Sequence, residues 1–206
     1  MNNDDIVITS AFRTAIGSFG GSLASQTAPQ LGAAVIKKCL EHSELKNDEV
    51  DMIYMGQVLT TGAGQNPARQ AAMQAGIAKE KTATTINQVC GSGLASIALA
   101  YNSIKCKDGS IMIAGGQESM SNSPHYMHLR DGIKMGIGEM QDSMIVDGLW
   151  DTYNQYHMGI TAENVAEQFQ IKRETQDDFA ASSQRKATEA IAGKKFKDEI
   201  VPVTVK

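Results

Sequence analysis

The sequence predicts an α/β layered domain with a mainly parallel sheet buried on both faces. Two observations point to it: strand and helix signals alternate along the first half of the chain, and the strand candidates are short apolar or β-branched runs of the kind helices cover from both sides. The elements follow in order. Ile6 to Thr9 is a short apolar run suited to a buried strand. Thr27 caps a helix opened by Pro29, with Leu31, Val35 and Cys39 recurring on one face. Met52 to Val58 is the next strand, and Asn66-Pro67 starts a helix that runs through Ala75 and ends at Gly76. Thr82 to Val89 is a β-branched strand leading directly into Cys90-Gly91-Ser92-Gly93. A helix follows with Leu94, Ile97, Tyr101 and Ile104 at helical spacing, and Ser110 to Ala114 is the last strand of the series.

The character of the chain changes after Glu118. Residues 119–150 are rich in Ser, Asn, Gly, Met and Asp without a clear period, which marks a functional loop region. Two helices follow, one from near Thr161 and one from about Thr175 to Ala192, and Ile200 to Val205 reads as a strand. The organisation expected is an α/β domain over 1–118 and a loop subdomain over 119–206.

Bulk properties narrow the function. The chain has 206 residues, 42% of them hydrophobic and 20% charged, in the range of an average globular protein. A formal charge of −4 offers no basic surface for nucleic acid. No apolar stretch approaches the roughly 18 residues of a membrane span, and the start MNNDDIVITS carries acid where a secretory leader carries base. Cys39, Cys90 and Cys106 form an odd set with no CxxC spacing and no His cluster at metal-ligand spacing. The expectation is a reduced, cytoplasmic protein without metal.

Cys90 is the candidate for chemistry. A cysteine where a strand turns into a helix meets free backbone N–H groups and the positive end of the helix dipole, and both favour a thiolate. Gly91 and Gly93 clear room for a substrate, and the amides can hold an oxyanion formed at a thioester carbonyl. The alternative is a small buried hydrophobe, the commoner fate of a free cysteine. Cys39 fits that alternative on its apolar helix face, and Cys106 reads as incidental. For Cys90, position alone leaves both readings open.

Two other glycine patterns carry less. Gly62-Ala-Gly64 lacks the third glycine of a dinucleotide loop, with Pro67 where it would fall, and Gly91-Ser92-Gly93 is out of register for a GxSxG elbow. Lys194, Lys195 and Lys197 read as a solvated helix end.

Asn87-Gln-Val-Cys90-Gly-Ser-Gly-Leu-Ala-Ser96 resembles the active-cysteine signature of the thiolase family. Ala11-Phe-Arg-Thr-Ala-Ile-Gly17, Asn66-Pro-Ala-Arg-Gln70, Gly115-Gly-Gln-Glu-Ser-Met-Ser121 and Tyr156-His-Met-Gly-Ile-Thr-Ala-Glu-Asn164 match the same family in the same order. Leu129-Arg-Asp-Gly-Ile-Lys-Met-Gly136 and the His157–Asn164 run are most similar to the biosynthetic, acetoacetyl-CoA-forming members.

The resemblance implies a thiolase-like layered fold, of which this chain supplies the N-terminal half and part of an inserted loop subdomain. It implies an acyltransferase that joins two acetyl-CoA into acetoacetyl-CoA, or cleaves it in reverse, through an acetyl-cysteine at Cys90. Coenzyme A thioesters are the substrates, with no metal or redox cofactor. His157 and Met158 are expected to line the acyl pocket and Leu149 and Met135 to contact the pantetheine arm. The loop around Met135 is expected to reach a neighbouring subunit of a homotetramer. Each has a plainer alternative: His157 as a helix-start residue satisfied by backbone, Met135 and Met158 as gap-fillers.

The family's Gly-His-Pro histidine and its glycine-flanked second cysteine do not occur in these 206 residues. A complementary C-terminal half is therefore an expected partner, and a large apolar face is expected to need it as cover. Two other readings stay open: a non-catalytic half-thiolase subunit, and another condensing enzyme of the superfamily such as a ketoacyl synthase, against which the Tyr156–Asn164 segment argues.

Overall fold

A computed structural model describes residues 5–205. Residues 1–4 and 206, which open the first expected domain and close the second, lie outside them. The elements are β1 Arg13–Thr14, α1 Ala28–His42, β2 Met52–Gly56, α2 Pro67–Ala75, β3 Thr82–Ile86, α3 Ser92–Lys105, β4 Met112–Gly116, β5 His125–Tyr126, β6 Gln141–Asp142, β7 Trp150–Asp151, β8 Tyr156–His157, α4 Met158–Gln168, α5 Arg173–Ala192 and β9 Ile200–Val201. The chain divides into two compact units, one running to Gly148 and resuming at Val201, the other Leu149–Ile200.

The first unit is built on a parallel three-stranded sheet in the order β3-β2-β4. Met52 sits beside both Thr82 and Met112, so the three strands start level, and Gly56 ends beside Ile86 and Gly116. The predicted α/β class and parallel sheet are what the structure contains. Burial is concentrated in the central strand, where Ile53 is fully buried, while β3 and β4 are covered in part.

Alternation along β2 assigns its two faces. Ile53 and Met55 enter a core with Ala33, Ile36 and Leu40 of α1 and Ala68, Ala71, Ala72 and Ala75 of α2. The alanines keep α2 thin, so α1 and the sheet meet across it. Burying a side chain such as Ile36 or Ile53 contributes about 1.5–3 kcal/mol. Tyr54, on the other face, meets α3, its hydroxyl 2.9 Å from Ser103 Oγ.

Both helices on the core side start and stop as their sequences dictate. The capping box of α1 pairs the Thr27 side chain with the Gln30 amide and Gln30 Oε1 with the Thr27 amide, the latter at 2.8 Å. Asn66 Oδ1 accepts the Arg69 amide to cap α2, and Gly76 ends it at φ +89°.

Several expected elements differ. Ile6–Thr9 forms no strand, and Val7 and Ile8 are exposed; among the described residues no strand pairs with this segment to take its backbone bonds. The strands at 52 and 82 are shorter than their apolar runs, ending at Gly56 and Ile86, and β4 is shifted onto Gly115 and Gly116. On α1 the buried stripe is Pro29, Gly32, Ala33, Ile36 and Leu40, leaving Leu31, Val35 and Cys39 half-buried.

Helix α3 packs on the sheet by a face other than its apolar stripe. Leu94, Ile97 and Tyr101 are exposed, whereas Ser92, Ser96, Ala100 and Ser103 face the sheet. Small side chains are required there because the helix lies close on the strands: the Ser96 hydroxyl is 2.6 Å from Gly93 O and 2.8 Å from Gly115 O. Hydrophobic periodicity does not find this face because it registers alkyl carbon, not closeness of approach.

The irregular stretch expected after Glu118 holds a 3-10 turn, Met120–Asn122, and the two-residue antiparallel pair β5–β6. The second unit consists of the β7–β8 pair, with Trp150 opposite His157, followed by α4 and α5. These helices begin at Met158 and Arg173, earlier than Thr161 and Thr175, and Ala190 is the buried residue of the unit.

Candidate active site

Cys90 occupies a tight turn between β3 and α3. Asn87 Oδ1 accepts the Val89 amide at 3.0 Å. Ser92 Oγ closes the turn, accepting the Gln88 amide at 2.8 Å and donating to Val89 O at 2.6 Å. Held between them, Val89 adopts φ +48°, a left-handed conformation that costs a β-branched residue of the order of 1–3 kcal/mol. The turn presents Cys90 to solvent immediately before α3, and the two amides that follow it are engaged, Gly91 N–H bonding Gln88 O and Ser92 N–H bonding Val89 O, each at 3.1 Å.

Glycines bring the helix start onto the strand ends. A Cβ on Gly56 would lie 2.6 Å from both the carbonyl carbon and Cβ of Ser92 and 2.8 Å from Gly93 N. A Cβ on Gly116 would meet Gly93 Cα at 3.4 Å. Above this junction opens a cleft of about 310 Å³, lined by Val89, Cys90, Ser92 and Gly93 on the helix side. Its opposite wall runs from Gly56 to Val58 and from Gly116 to Glu118.

That wall is polar and tied together. Gln117 Nε2 donates to Gln57 Oε1 at 2.9 Å, and Gln57 Nε2 donates to Leu59 O at 2.8 Å. The half-buried Glu118 carboxylate accepts the Val58 amide at 2.8 Å and the Leu59 amide at 3.2 Å. Burial pushes the Glu118 carboxyl up from its ordinary value, against the opposing pull of those two amides.

Sequence reasoning leaves Glu118, Ser92 and Gln57 without roles. A signal for Glu118 was present: two polar side chains, Gln117 and Glu118, directly follow a Gly-Gly strand end, where they fall at the carboxyl edge of a parallel sheet.

The other candidates are placed as follows. Met135 lies in the first unit and is 95% exposed, on a loop segment beside the equally open Ile137. Leu149, His157 and Met158 belong to the second unit. Leu149 ends a π-helical turn that begins at Ile145. His157 is the N-cap of α4, its Nδ1 accepting the Gly159 amide at 3.0 Å, the backbone-satisfied placement weighed for it above. Met158 opens the same helix, partly exposed.

Of the other thiols, Cys39 is half-buried; burial pushes it up from its ordinary value, opposed by hydrogen bonds from Ser10 and Phe12. Cys106 is exposed at the C-terminal end of α3. No group of His, Cys, Asp and Glu among the described residues is arranged to hold a metal ion. No helix among them is long and apolar enough to cross a membrane.

Comparison with known proteins gives one family over almost the whole chain: "Thiolase, N-terminal domain" matches residues 6–206. A protein of Cupriavidus necator named acetyl-CoA acetyltransferase is 58% identical over 202 residues, 98% of this chain and 51% of that protein. Proteins of the same name from Pseudomonas aeruginosa and Rhizobium meliloti are each 55% identical, over 98% and 100% of this chain and 51% and 52% of theirs. The chain thus spans about half the length of the curated relatives it matches.

Proposed function

The chain belongs to the thiolase family, and on that premise we propose that it is the acyl-accepting part of an acetyl-CoA acetyltransferase, with Cys90 as the nucleophile. The observation that carries the reading is the placement of Cys90: exposed on a tight turn at the start of α3, with a glycine-lined junction behind it and an open cleft beside it. The relatives' shared name supports the choice of acetyl-CoA.

In the proposed reaction the Cys90 thiolate attacks the thioester carbonyl of acetyl-CoA. The carbon–sulfur bond to coenzyme A breaks, and the carrier leaves as a thiol with the proton that Cys90 gave up. The acetyl group now rests on Cys90 as a thioester. A second acetyl-CoA loses a methyl proton, and its carbon attacks the acetyl carbonyl; the carbon–carbon bond forms as the acetyl–Sγ bond breaks, and the proton lost from the methyl group ends on the freed Cys90 thiol. Neither step changes the electron count of a metal or redox centre, so the scheme uses only coenzyme A thioesters. The amides next to Cys90, those of Gly91 and Ser92, already bond Gln88 O and Val89 O at 3.1 Å, so the oxyanion of each attack is assigned to N–H groups deeper in the first turn of α3.

His157 and Met158 are assigned to the acyl pocket and Leu149 and Met135 to the pantetheine arm, on the strength of the motif match. The groups that move protons in the second step are assigned to sequence of the kind the relatives carry in their other half. The apolar outer face of α3, with Leu94, Ile97 and Tyr101 exposed, supports such a half as the partner. The open segment around Met135 and Ile137 supports assembly into an oligomer, and the three free cysteines support a reduced, cytoplasmic setting.

Incubation with radiolabelled acetyl-CoA tests the first step. Label on the chain, absent in Cys90→Ala, is the expected result; an unlabelled native chain sinks autonomous acyl transfer. Adding the other half in trans and assaying acetoacetyl-CoA tests the second step. A second reading, a non-catalytic subunit, is favoured by the same α3 face, and it predicts binding of that half without turnover.

A further inference from the structure

We propose that Glu118 is a positioning residue for Cys90, acting through Val58 and Asn87 and not by touching the thiol. The inference rests on the reading of Cys90 as nucleophile and adds a control on its orientation. The two walls of the cleft come from different segments. On one side Glu118, just past β4, clamps the loop that leaves β2 by taking the Val58 amide at 2.8 Å and the Leu59 amide at 3.2 Å. The carbonyl of Val58 then faces the nucleophile turn, where Asn87 Nδ2 donates to it at 3.4 Å, the longest link of the series. The other end of the Asn87 amide holds the Val89 N–H at 3.0 Å. Val89 is the residue at φ +48° directly before Cys90. A carboxylate on one wall therefore fixes the peptide that anchors the side chain that holds the turn.

Two features argue that the clamp does more than fill space. Leaving a carboxylate half-buried costs free energy, and burial raises its proton affinity even with two amide donors in place. A neutral or apolar side chain would occupy the position more cheaply. The strained turn, in addition, needs outside support to persist: a β-branched residue at positive φ relaxes unless its neighbours over-determine it. Asn87 is exposed and reaches the body of the domain through Val58, so its hold is only as firm as that loop.

The test is site-resolved alkylation of the folded chain with iodoacetamide, read by mass spectrometry as the ratio of the Cys90 rate to that of exposed Cys106. Glu118→Gln and Glu118→Ala lower this ratio by roughly five-fold, the size expected when one anchoring hydrogen bond is lost. Asn87→Asp keeps the acceptor for the Val89 amide but loses the donor to Val58, and lowers the ratio on its own. In that background the Glu118 substitutions have no further effect, which a merely structural carboxylate would not produce. A ratio unchanged in Glu118→Gln, or effects that multiply in the double variant, overturns the proposal. Because Asn87 lies on the surface, its variant keeps the comparison available if a Glu118 variant unfolds, and an Asn87→Asp ratio equal to that of the native chain also overturns it. The acyl-transfer reading fails separately: it falls if acetyl-CoA leaves native Cys90 unlabelled, whatever the alkylation ratio shows.

Discussion

No side chain fits between Gly56 and Ser92. The end of the central strand lies so near the start of α3 that a Cβ on Gly56 would stand 2.6 Å from the carbonyl carbon of Ser92, whose hydroxyl closes the turn around Cys90. Gly56→Ala is therefore expected to destabilise the chain by about 1–3 kcal/mol and to slow Cys90 alkylation, because the helix start must move. Gly93→Ala is the control: its Cβ would approach Gly116 no closer than 3.9 Å. Urea unfolding and thiol labelling of both variants check the contrast.

Val89 stores strain beside the nucleophile. Replacing it with Gly, which accepts φ +48° freely, is expected to relieve roughly 1 kcal/mol or more of backbone strain while removing a partly exposed side chain. The unfolding midpoint should hold or rise. The cost should appear in function, as slower and less uniform Cys90 labelling from a turn that is no longer forced.

Asp51 links β2 to the segment entering β4, accepting the Ser110 amide at 2.7 Å and the Ile111 amide at 3.1 Å, with Lys81 Nζ at 3.8 Å. The Ser110 amide foremost, then that of Ile111 and the charge of Lys81, hold its carboxyl below the ordinary value. Since the folded value is depressed, the stabilisation is present above the unfolded value and is lost as pH falls through the folded one. Asp51→Asn should therefore lower the thermal midpoint at neutral pH, with the two proteins converging below roughly pH 4.

His157 has a measurable structural duty apart from any part in substrate binding. His157→Ala should loosen the start of α4 by about 0.5–2 kcal/mol, whereas His157→Asn retains a cap. Circular dichroism of the two variants checks it. Acetyl labelling that falls equally in both would assign His157 to the pocket as well as the cap.

What the sequence disclosed depended on the physical signal each feature emits. Caps and breakers such as Thr27, Asn66 and Gly76 act locally, and the starts of α1 and α2 and the end of α2 were legible almost to the residue. The position of Cys90 was legible for the same reason, since a β-branched run meeting Cys-Gly-Ser-Gly is a local pattern. Faces were not. Leu94, Ile97 and Tyr101 recur at helical spacing, but α3 lies so close on Gly56 and on the Gly115 carbonyl that serines face the sheet instead. The Glu118 clamp on Val58 spans 60 positions, and no spacing rule within one segment anticipates it. Ile6–Thr9 shows the converse, strand-like composition without a strand to pair.

Helix α3 meets its own sheet with hydroxyls and an alanine, while α1 and α2 meet it with alkyl groups. Its attachment is therefore directional and shallow, since hydrogen bonds and close backbone contact bury little carbon. The two sides of the sheet should open independently, with amide hydrogens of α3 exchanging with solvent well before those of β2 and α2. A surface laid over Leu94, Ile97 and Tyr101 would close that gap, so exchange slowing in α3 alone offers a direct readout of whatever covers it.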